Sequence, residues 1–220
     1  MFRAAKWFVL MGLMEVLLGC STPNPNVRVR RLPNGRLEVD GPLAGPFETT
    51  EKLAAASCEI MMAQPGATNG AHGFEYCALY YYSGAANGFF LSYLSDIGGT
   101  AENGKKYCEL PRTVNDPTHP DLLILSGGHG HPHNRQFSRQ DMMADNQWRP
   151  TRILDKQTGK VFDRSLLLFY RERTGECMSY IYNSTSRLVS SLREGQWVPI
   201  GQVYTEDGDI RMLEGKDWLP

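Results

Sequence analysis

The sequence predicts an α+β domain in which a mostly antiparallel sheet is flanked by helices. Three pairs of β-forming runs, each joined by turn residues, lie within residues 75–94, 166–182 and 198–213. An apolar pattern with helical spacing covers about residues 50–62, and a helix-start signature begins at Ser138. Because the hairpins follow one another instead of alternating regularly with helices, this order is typical of an α+β fold.

The start of the chain is typical of a bacterial export signal. Arg3 and Lys6 precede an apolar segment, residues 7–18, which is too short to span a membrane. A small residue followed by Cys20 resembles the lipobox of bacterial lipoproteins. We therefore expect residues 1–19 to be a lipoprotein signal peptide and Cys20 to carry a lipid anchor. The expected location is the bacterial cell envelope, at the outer membrane facing the periplasm. The alternative is an ordinary signal peptide with Cys20 buried in the domain.

Length and charge restrict the organisation of the chain and its partners. The 220 residues are enough for one domain with extensions, and we expect a tether with a small hairpin over residues 20–46 and the main domain over residues 47–220. The formal net charge is only −1. Such a balance provides no general attraction to nucleic acid, so no nucleic-acid partner is expected.

Four cysteines remain after Cys20, and an exported chain favours pairing them in two disulfides. They are Cys58, Cys77, Cys108 and Cys177, and the sequence leaves all three pairings open. Zinc binding by these thiols is the rival interpretation. It is disfavoured because no two of them have the Cys-x-x-Cys spacing of closed zinc sites.

The elements before residue 75 follow from local patterns. Residues 27–40 alternate apolar and polar side chains around an Asn-Gly turn, which predicts a hairpin. Residues 41–46 are rich in glycine and proline and predict a linker. Thr49 or Thr50 then caps a helix that ends near Met62.

The later elements are mainly hairpins. Residues 75–82 and 89–94 predict one hairpin, residues 106–110 a short strand, and residues 122–125 a buried strand. Two further hairpins are expected in the C-terminal part, within the 166–182 and 198–213 segments. The helix that starts at Ser138 is expected to run to about Gln147.

Two histidines follow the buried strand at a spacing of two. Along an extended chain His129 and His131 point to the same side, so together they present half of a tetrahedral metal site. Pro132 restricts His131 and ends the strand. Farther along, Ser138 is expected to cap a helix whose first turn contains Asp141. That carboxylate can return toward the histidines as a third ligand, which leaves a fourth position for water.

The pattern His-x-His-Pro, a short gap and Ser-x-x-Asp resembles the JAMM (MPN-plus) metallopeptidase motif. The gap between the second histidine and the serine is six residues here, against the seven that are usual in that family. The form of the motif looks closest to uncharacterised JAMM-like domains of Rhs-type proteins. The resemblance covers about residues 47–180 by order of elements, and it implies a JAMM-like, cytidine-deaminase-like fold.

The resemblance also implies roles for individual residues. His129, His131 and Asp141 would bind Zn²⁺, and Ser138 would stabilise the tetrahedral intermediate. The segment 74–80 is similar to the one that carries the family's general base, which makes Glu75 the candidate base. His119 and His133 are either cleft residues or exposed loop histidines.

The resulting functional expectation is a zinc-dependent metallopeptidase of the cell envelope that hydrolyses an amide or isopeptide bond. Its substrate would be a peptide or protein, with cell-wall peptide as one possibility, and its membrane contact would be the lipid anchor. The alternative is a non-catalytic JAMM-like binding module, such as an immunity or accessory lipoprotein of a secreted toxin system. A third interpretation is a structural lipoprotein in which the histidines have no metal.

Overall fold

The computed structural model describes residues 23–143 and 151–219, and it corrects the predicted fold class. Strands make up 42% of these residues and helices 11%, so the protein is mostly β. The expected α+β, JAMM-like arrangement of a sheet flanked by helices is therefore wrong. Within the described residues there are two α-helices, α1 Thr50–Met62 and α2 Arg139–Met142, and the second is a single turn.

The strands form one large sheet and three small ones. In chain order they are β1 Val29–Arg31, β2 Leu37–Asp40, β3 Ala44–Phe47, β4 Cys77–Ser83, β5 Gly88–Leu91, β6 Gly98–Thr100, β7 Lys106–Cys108, β8 Thr113–Asn115, β9 Leu123–Gly130, β10 Arg152–Leu154, β11 Val161–Asp163, β12 Ser165–Arg171, β13 Cys177–Asn183, β14 Leu188–Arg193, β15 Gln196–Val203 and β16 Ile210–Met212. The 3₁₀ turn Gly70–His72 lies between α1 and β4.

Nine strands make the large sheet, in the order β16-β15-β14-β13-β12-β9-β4-β5-β3. Its neighbours are antiparallel except for β9 and β12, which run parallel. The small sheets are β1-β2-β8, β6-β7 and β10-β11. Strand β9 therefore lies inside the large sheet, with β12 on one side and β4 on the other.

The central strands of the large sheet are buried on both faces. In β12, Leu167 and Phe169 pack in one apolar cluster with helix α1, while Leu166 and Leu168 belong to a second cluster on the opposite face. Since side chains alternate along a strand, a continuous apolar run such as this one is what a doubly covered strand requires. The second cluster also contains Met142 of helix α2.

Helix α1 agrees with its prediction. The Thr49 side chain accepts a hydrogen bond from the Lys52 N–H and so caps the helix. The face expected to be apolar is buried, and it comprises Leu53, Ala54, Cys58, Met61 and Met62. Among the described residues, no helix has the length and apolar character needed to cross a membrane.

The predicted hairpins are confirmed as β1-β2, β4-β5, β12-β13 and β15-β16. Strand β7 lies within the short strand predicted at residues 106–110. Strands β3, β6, β8, β10, β11 and β14 were not predicted, and β3 begins within the segment expected to be a linker. Helix α2 is shorter than predicted, because the backbone of Met143 is extended. Residues 144–150, which contain the rest of that prediction, and residues 1–22, with the signal peptide and Cys20, lie outside the described residues.

The expectation of two disulfides is confirmed, and the structure selects one of the three pairings. Cys58 on α1 is bonded to Cys177 at the start of β13. Cys77 at the start of β4 is bonded to Cys108 at the end of β7. The first bond ties the helix to the large sheet, and the second ties the β6-β7 hairpin to the strand next to β9.

The two disulfides are predicted to differ in their effect on stability. Their sequence separations are 119 and 31 residues. From loop-closure entropy alone, losing the first should lower the free energy of unfolding by about 5 kcal/mol and losing the second by about 4 kcal/mol. Urea unfolding of Cys58→Ala/Cys177→Ala beside Cys77→Ala/Cys108→Ala checks this order. A larger loss for the second pair would contradict it.

Candidate metal centre

Strand β9 carries the first histidine into the interior of the large sheet. His129 is paired with Cys77 of β4 on one side and with Leu168 of β12 on the other. His131 follows the last residue of the strand, and its backbone N–H donates to the carbonyl of Phe169. Both histidines are buried, at 4% and 6% exposure. The two imidazoles are thus held by hydrogen-bonded backbone on rigid strands.

The glycines beside the histidines pack closely against neighbouring side chains. A Cβ atom at Gly128 would lie 2.6 Å from the ring of Tyr80, and one at Gly130 would lie 2.9 Å from the sulfur of Met62. A side chain at Gly128 would push β9 away from β4, whereas the flexible Met62 side chain could move aside for one at Gly130. The alternation of glycine and histidine therefore lets β9 pack closely against its neighbours, while the imidazoles are the side chains that this stretch contributes to the site.

The two imidazoles point at each other. Their Nε2 atoms are 3.0 Å apart and the ring centroids are 4.8 Å apart. Two nitrogen lone pairs at that distance repel unless a proton or a cation lies between them. Nitrogen ligands bound at about 2.0–2.1 Å to one tetrahedral ion would be about 3.3 Å apart, which is close to this separation.

Two carboxylates complete the cluster. An oxygen of Glu75 lies 3.8 Å from His131 Nε2, and Oδ2 of Asp141 lies 3.6 Å from His129 Nε2. Ligand atoms of Glu75, His129 and His131 all lie within 4.8 Å of one another. The structure therefore brings together all four residues that the sequence predicted for metal binding and general base catalysis.

Ser138 lies beside this cluster as the cap of α2. Its N–H and its hydroxyl donate to Asp141 Oδ2 over 2.8 and 2.7 Å, and its oxygen accepts from the Asp141 N–H. This reciprocal capping box confirms the predicted helix start. It also fixes the Asp141 carboxylate toward His129. The hydroxyl proton of Ser138, which was expected to face a substrate, is directed at Asp141.

Asn134 also lies at the site, although the sequence did not indicate it. Its Oδ1 lies 3.2 Å from His131 Nδ1, and its Nδ2 lies 3.0 Å from His133 Nε2. No motif marks this position, because the contact depends on how the loop after Pro132 folds back. Only an expectation that buried imidazoles need a partner on their second nitrogen could have suggested a search of that loop.

The charge states in the metal-free protein follow from burial and from these contacts. Burial raises the pKa of Glu75 to about 7, although His129 opposes the shift. Burial and the neighbouring charge of His129 lower the pKa of His131 to about 3. Burial also disfavours charge on His129 and Asp141, but their attraction outweighs it, so the pKa of His129 is raised and that of Asp141 is held well below its usual range.

The cluster forms the floor of an open cleft with a volume of about 1060 Å³. The β6-β7 hairpin supplies one wall, with Lys105, Lys106 and the half-exposed Tyr107. His133 lines the cleft as well. His119 lies outside the cleft lining. Its Nδ1 is 2.7 Å from Oδ2 of Asp116, and the ring of Phe90 packs against its imidazole.

The donor set fits a divalent metal ion. Two imidazole nitrogens and one or two carboxylates converge on one buried point, and cysteine ligands are not needed because all four cysteines of the described residues are in disulfides. Imidazole and carboxylate ligands are the set that zinc and related ions use at open, catalytic positions. The residues could therefore hold such an ion.

Comparisons with family models, curated proteins and solved structures find no match to this chain.

Glu75 is predicted to destabilise the metal-free protein at neutral pH. Its folded pKa of about 7 exceeds the ordinary value of 4.5, so the stability that it contributes is complete below 4.5 and is lost as pH rises toward 7. Glu75→Gln should therefore raise the free energy of unfolding at pH 7.5, by up to about 3 kcal/mol, and change it little at pH 4.5. Urea unfolding of both proteins with a chelator present checks this. A variant that is less stable at pH 7.5 would contradict it.

Proposed function

We propose that this protein is a zinc-dependent hydrolase of the bacterial cell envelope that cleaves an amide or isopeptide bond. The observation that carries the proposal is the buried convergence of two imidazoles and the Glu75 carboxylate in an open cleft, with the partly buried Asp141 carboxylate 3.6 Å from His129 Nε2. The proposal rests on the site and on the resemblance of its residues to the JAMM metallopeptidase motif. It does not rest on the fold, which is mostly β.

The proposed ligands are His129, His131 and Asp141. When bound, zinc supplies Lewis acidity that makes water acidic enough to lose a proton near neutral pH and polarises a carbonyl group. The capping box keeps Asp141 Oδ2 directed at His129, so the third ligand is held by the start of a helix. The competing assignment has Glu75 as the third ligand in place of Asp141. The two assignments differ in which carboxylate substitution should lower zinc binding.

Glu75 is the proposed general base. It lies just before β4, is buried, and presents an oxygen 3.8 Å from His131 Nε2. In the metal-free protein burial raises the pKa of Glu75 to about 7, and the positive charge of a bound metal ion would lower that pKa. With metal bound the group would therefore be a carboxylate, the form that takes a proton from water and later returns it to a leaving amine.

Ser138 is the proposed donor to the oxyanion. Its hydroxyl is in the cleft beside Asp141, but in this structure its proton is donated to Asp141 Oδ2. The role therefore requires the hydroxyl to rotate from Asp141 to the substrate as negative charge develops there. The backbone N–H of Ser138 can keep Asp141 in place during that rotation, because it donates to the same oxygen at 2.8 Å.

The cleft favours a polar peptide as substrate. Among the described residues, its lining beyond the metal cluster includes Asn103, Gln136 and Gln140 together with Lys105 and Lys106, and its carboxylates are those of the cluster. The positive charges of the two lysines attract anionic groups that enter the cleft, although Lys106 also interacts with the Glu75 carboxylate. A peptide that carries free carboxylates, as bacterial cell-wall peptides do, fits this lining better than an apolar or basic one.

The proposed location is the envelope, with the lipid anchor on Cys20 as the membrane contact. The two disulfides support an oxidising compartment. Cys20→Ser should release the protein from the membrane fraction, because an acyl-modified first residue would no longer form. Membrane fractionation of cells that produce each form is the measurement. Equal recovery of both forms with membranes would contradict the anchor.

Substitutions of the two carboxylates separate base from ligand. Glu75→Gln should keep about one zinc per chain and slow hydrolysis of a cell-wall peptide by about 10²–10⁴-fold, since a general base contributes about that much. Asp141→Asn should lower zinc affinity by removing a charged ligand. Metal analysis by mass spectrometry and peptide hydrolysis followed by chromatography give both quantities.

Exposed residues provide matched controls, Glu176→Gln for the glutamate and Asp207→Asn for the aspartate. Both should retain zinc and activity. Loss of zinc in Glu75→Gln with retention in Asp141→Asn would assign the ligand role to Glu75 instead. Zinc binding without hydrolysis of any peptide would favour the non-catalytic binding module.

A further inference from the structure

We infer that Asn134 is a positioning residue that holds His131 in the one neutral tautomer able to bind metal through Nε2. The inference rests on the proposed metal site and adds a residue that the motif does not contain.

The orientation of the Asn134 amide is fixed by a backbone donor. The N–H of Gln136 donates to Oδ1 of Asn134 over 3.0 Å. A backbone N–H can only donate, so the side-chain atom that faces it must be the oxygen and cannot be the NH₂ group. The usual ambiguity between oxygen and nitrogen in an asparagine side chain is thereby removed.

That oxygen determines where the His131 proton lies. Asn134 Oδ1 is 3.2 Å from His131 Nδ1, and since the oxygen only accepts, Nδ1 must be the donor. A neutral imidazole has one N–H, so Nε2 keeps its lone pair. This Nε2 is the atom that lies 3.0 Å from His129 Nε2 and 3.8 Å from the Glu75 carboxylate. The lone pair therefore points into the metal centre before any ion arrives.

The nitrogen of the Asn134 side-chain amide also has a hydrogen-bond partner. Nδ2 of Asn134 donates to Nε2 of His133 over 3.0 Å, so the side chain is held at both ends. Asn134 accepts from Gln136 two residues later, a local turn that asparagine forms readily. Because the rings of His131 and His133 are nearly parallel, at 18°, one amide can bridge them.

The tautomer can be measured directly in the unmodified, metal-free protein. Long-range ¹⁵N–¹H correlation spectra distinguish Nδ1–H from Nε2–H imidazole by the chemical shifts of the two nitrogens. We expect His131 to be the Nδ1–H form, assigned by its loss in His131→Gln. A spectrum that shows the Nε2–H form would overturn the inference without any substitution at Asn134.

Three variants test the cause. Asn134→Leu removes the acceptor and should populate the Nε2–H form and weaken zinc binding by about 10–100-fold, the usual cost of losing such a partner. Asn134→Asp keeps an acceptor and should retain both the tautomer and the affinity within a few-fold. His133→Ala removes only the partner of Nδ2 and should retain the Nδ1–H tautomer. Affinity is measured by competition with a chromophoric chelator.

The results separate this inference from the proposed function. If the unmodified protein binds no zinc, the proposed function fails. The tautomer of His131 in the parent and in Asn134→Leu still tests the role of Asn134. If zinc binds and Asn134→Leu leaves both the tautomer and the affinity unchanged, the inference alone is overturned. Should Asn134→Leu fail to fold, Asn134→Ala removes the same acceptor with a smaller side chain, and an unchanged Nδ1–H spectrum in that variant would overturn the inference.

Discussion

The site depends on one physical constraint, the 3.0 Å approach of two buried imidazole nitrogens. In a region with little water, such a pair is stable only if a proton or a metal ion lies between the nitrogens. Without metal, the proton resides on His129, where the Asp141 carboxylate stabilises it. A divalent ion could take the place of that proton and bind both Nε2 atoms. The arrangement of the two imidazoles therefore suits either a proton or a metal ion.

The hydrogen bonds of the large sheet hold the two imidazole nitrogens close together despite their repulsion. Strand β9 is hydrogen-bonded to β4 and β12, and the backbone of His131 remains tied to β12 beyond the end of the strand. Glu75 precedes β4, and the Cys77–Cys108 disulfide beside it attaches the wall of the cleft to the same strand. His129 lies in a central strand of the large sheet, and His131 and Glu75 lie directly beside such strands, so hydrogen-bonded backbone supports three of the four residues of the cluster.

Local patterns predicted which residues lie close together far better than they predicted the fold. The spacing of His129 and His131 and the pairing of Ser138 with Asp141 are properties of a few adjacent residues, so strand and capping geometry were enough to anticipate them. Placing Glu75 opposite His131 required the resemblance to a known motif. Asn134 was missed because its role arises from a loop that returns to the strand.

The fold class was wrong for reasons that lie in particular segments. The motif helix was expected to be long, but Met143 leaves the helical conformation after one turn, and the opposite face of the sheet is covered by an apolar cluster that includes Phe137 and Trp218. Strands of three residues, such as β6 and β10, are too short to show an alternating apolar pattern. Such strands are stabilised by pairing with neighbours, which a single sequence does not reveal.

The most direct test of the central claim is a crystal structure of the protein grown with zinc, measured at the zinc absorption edge. An anomalous density peak about 2.0–2.1 Å from Nε2 of both His129 and His131 is the predicted result, with a carboxylate oxygen at a similar distance. The same map would show whether that oxygen belongs to Asp141 or to Glu75. The absence of a peak between the two imidazoles, at a zinc concentration that saturates other sites, would contradict the account.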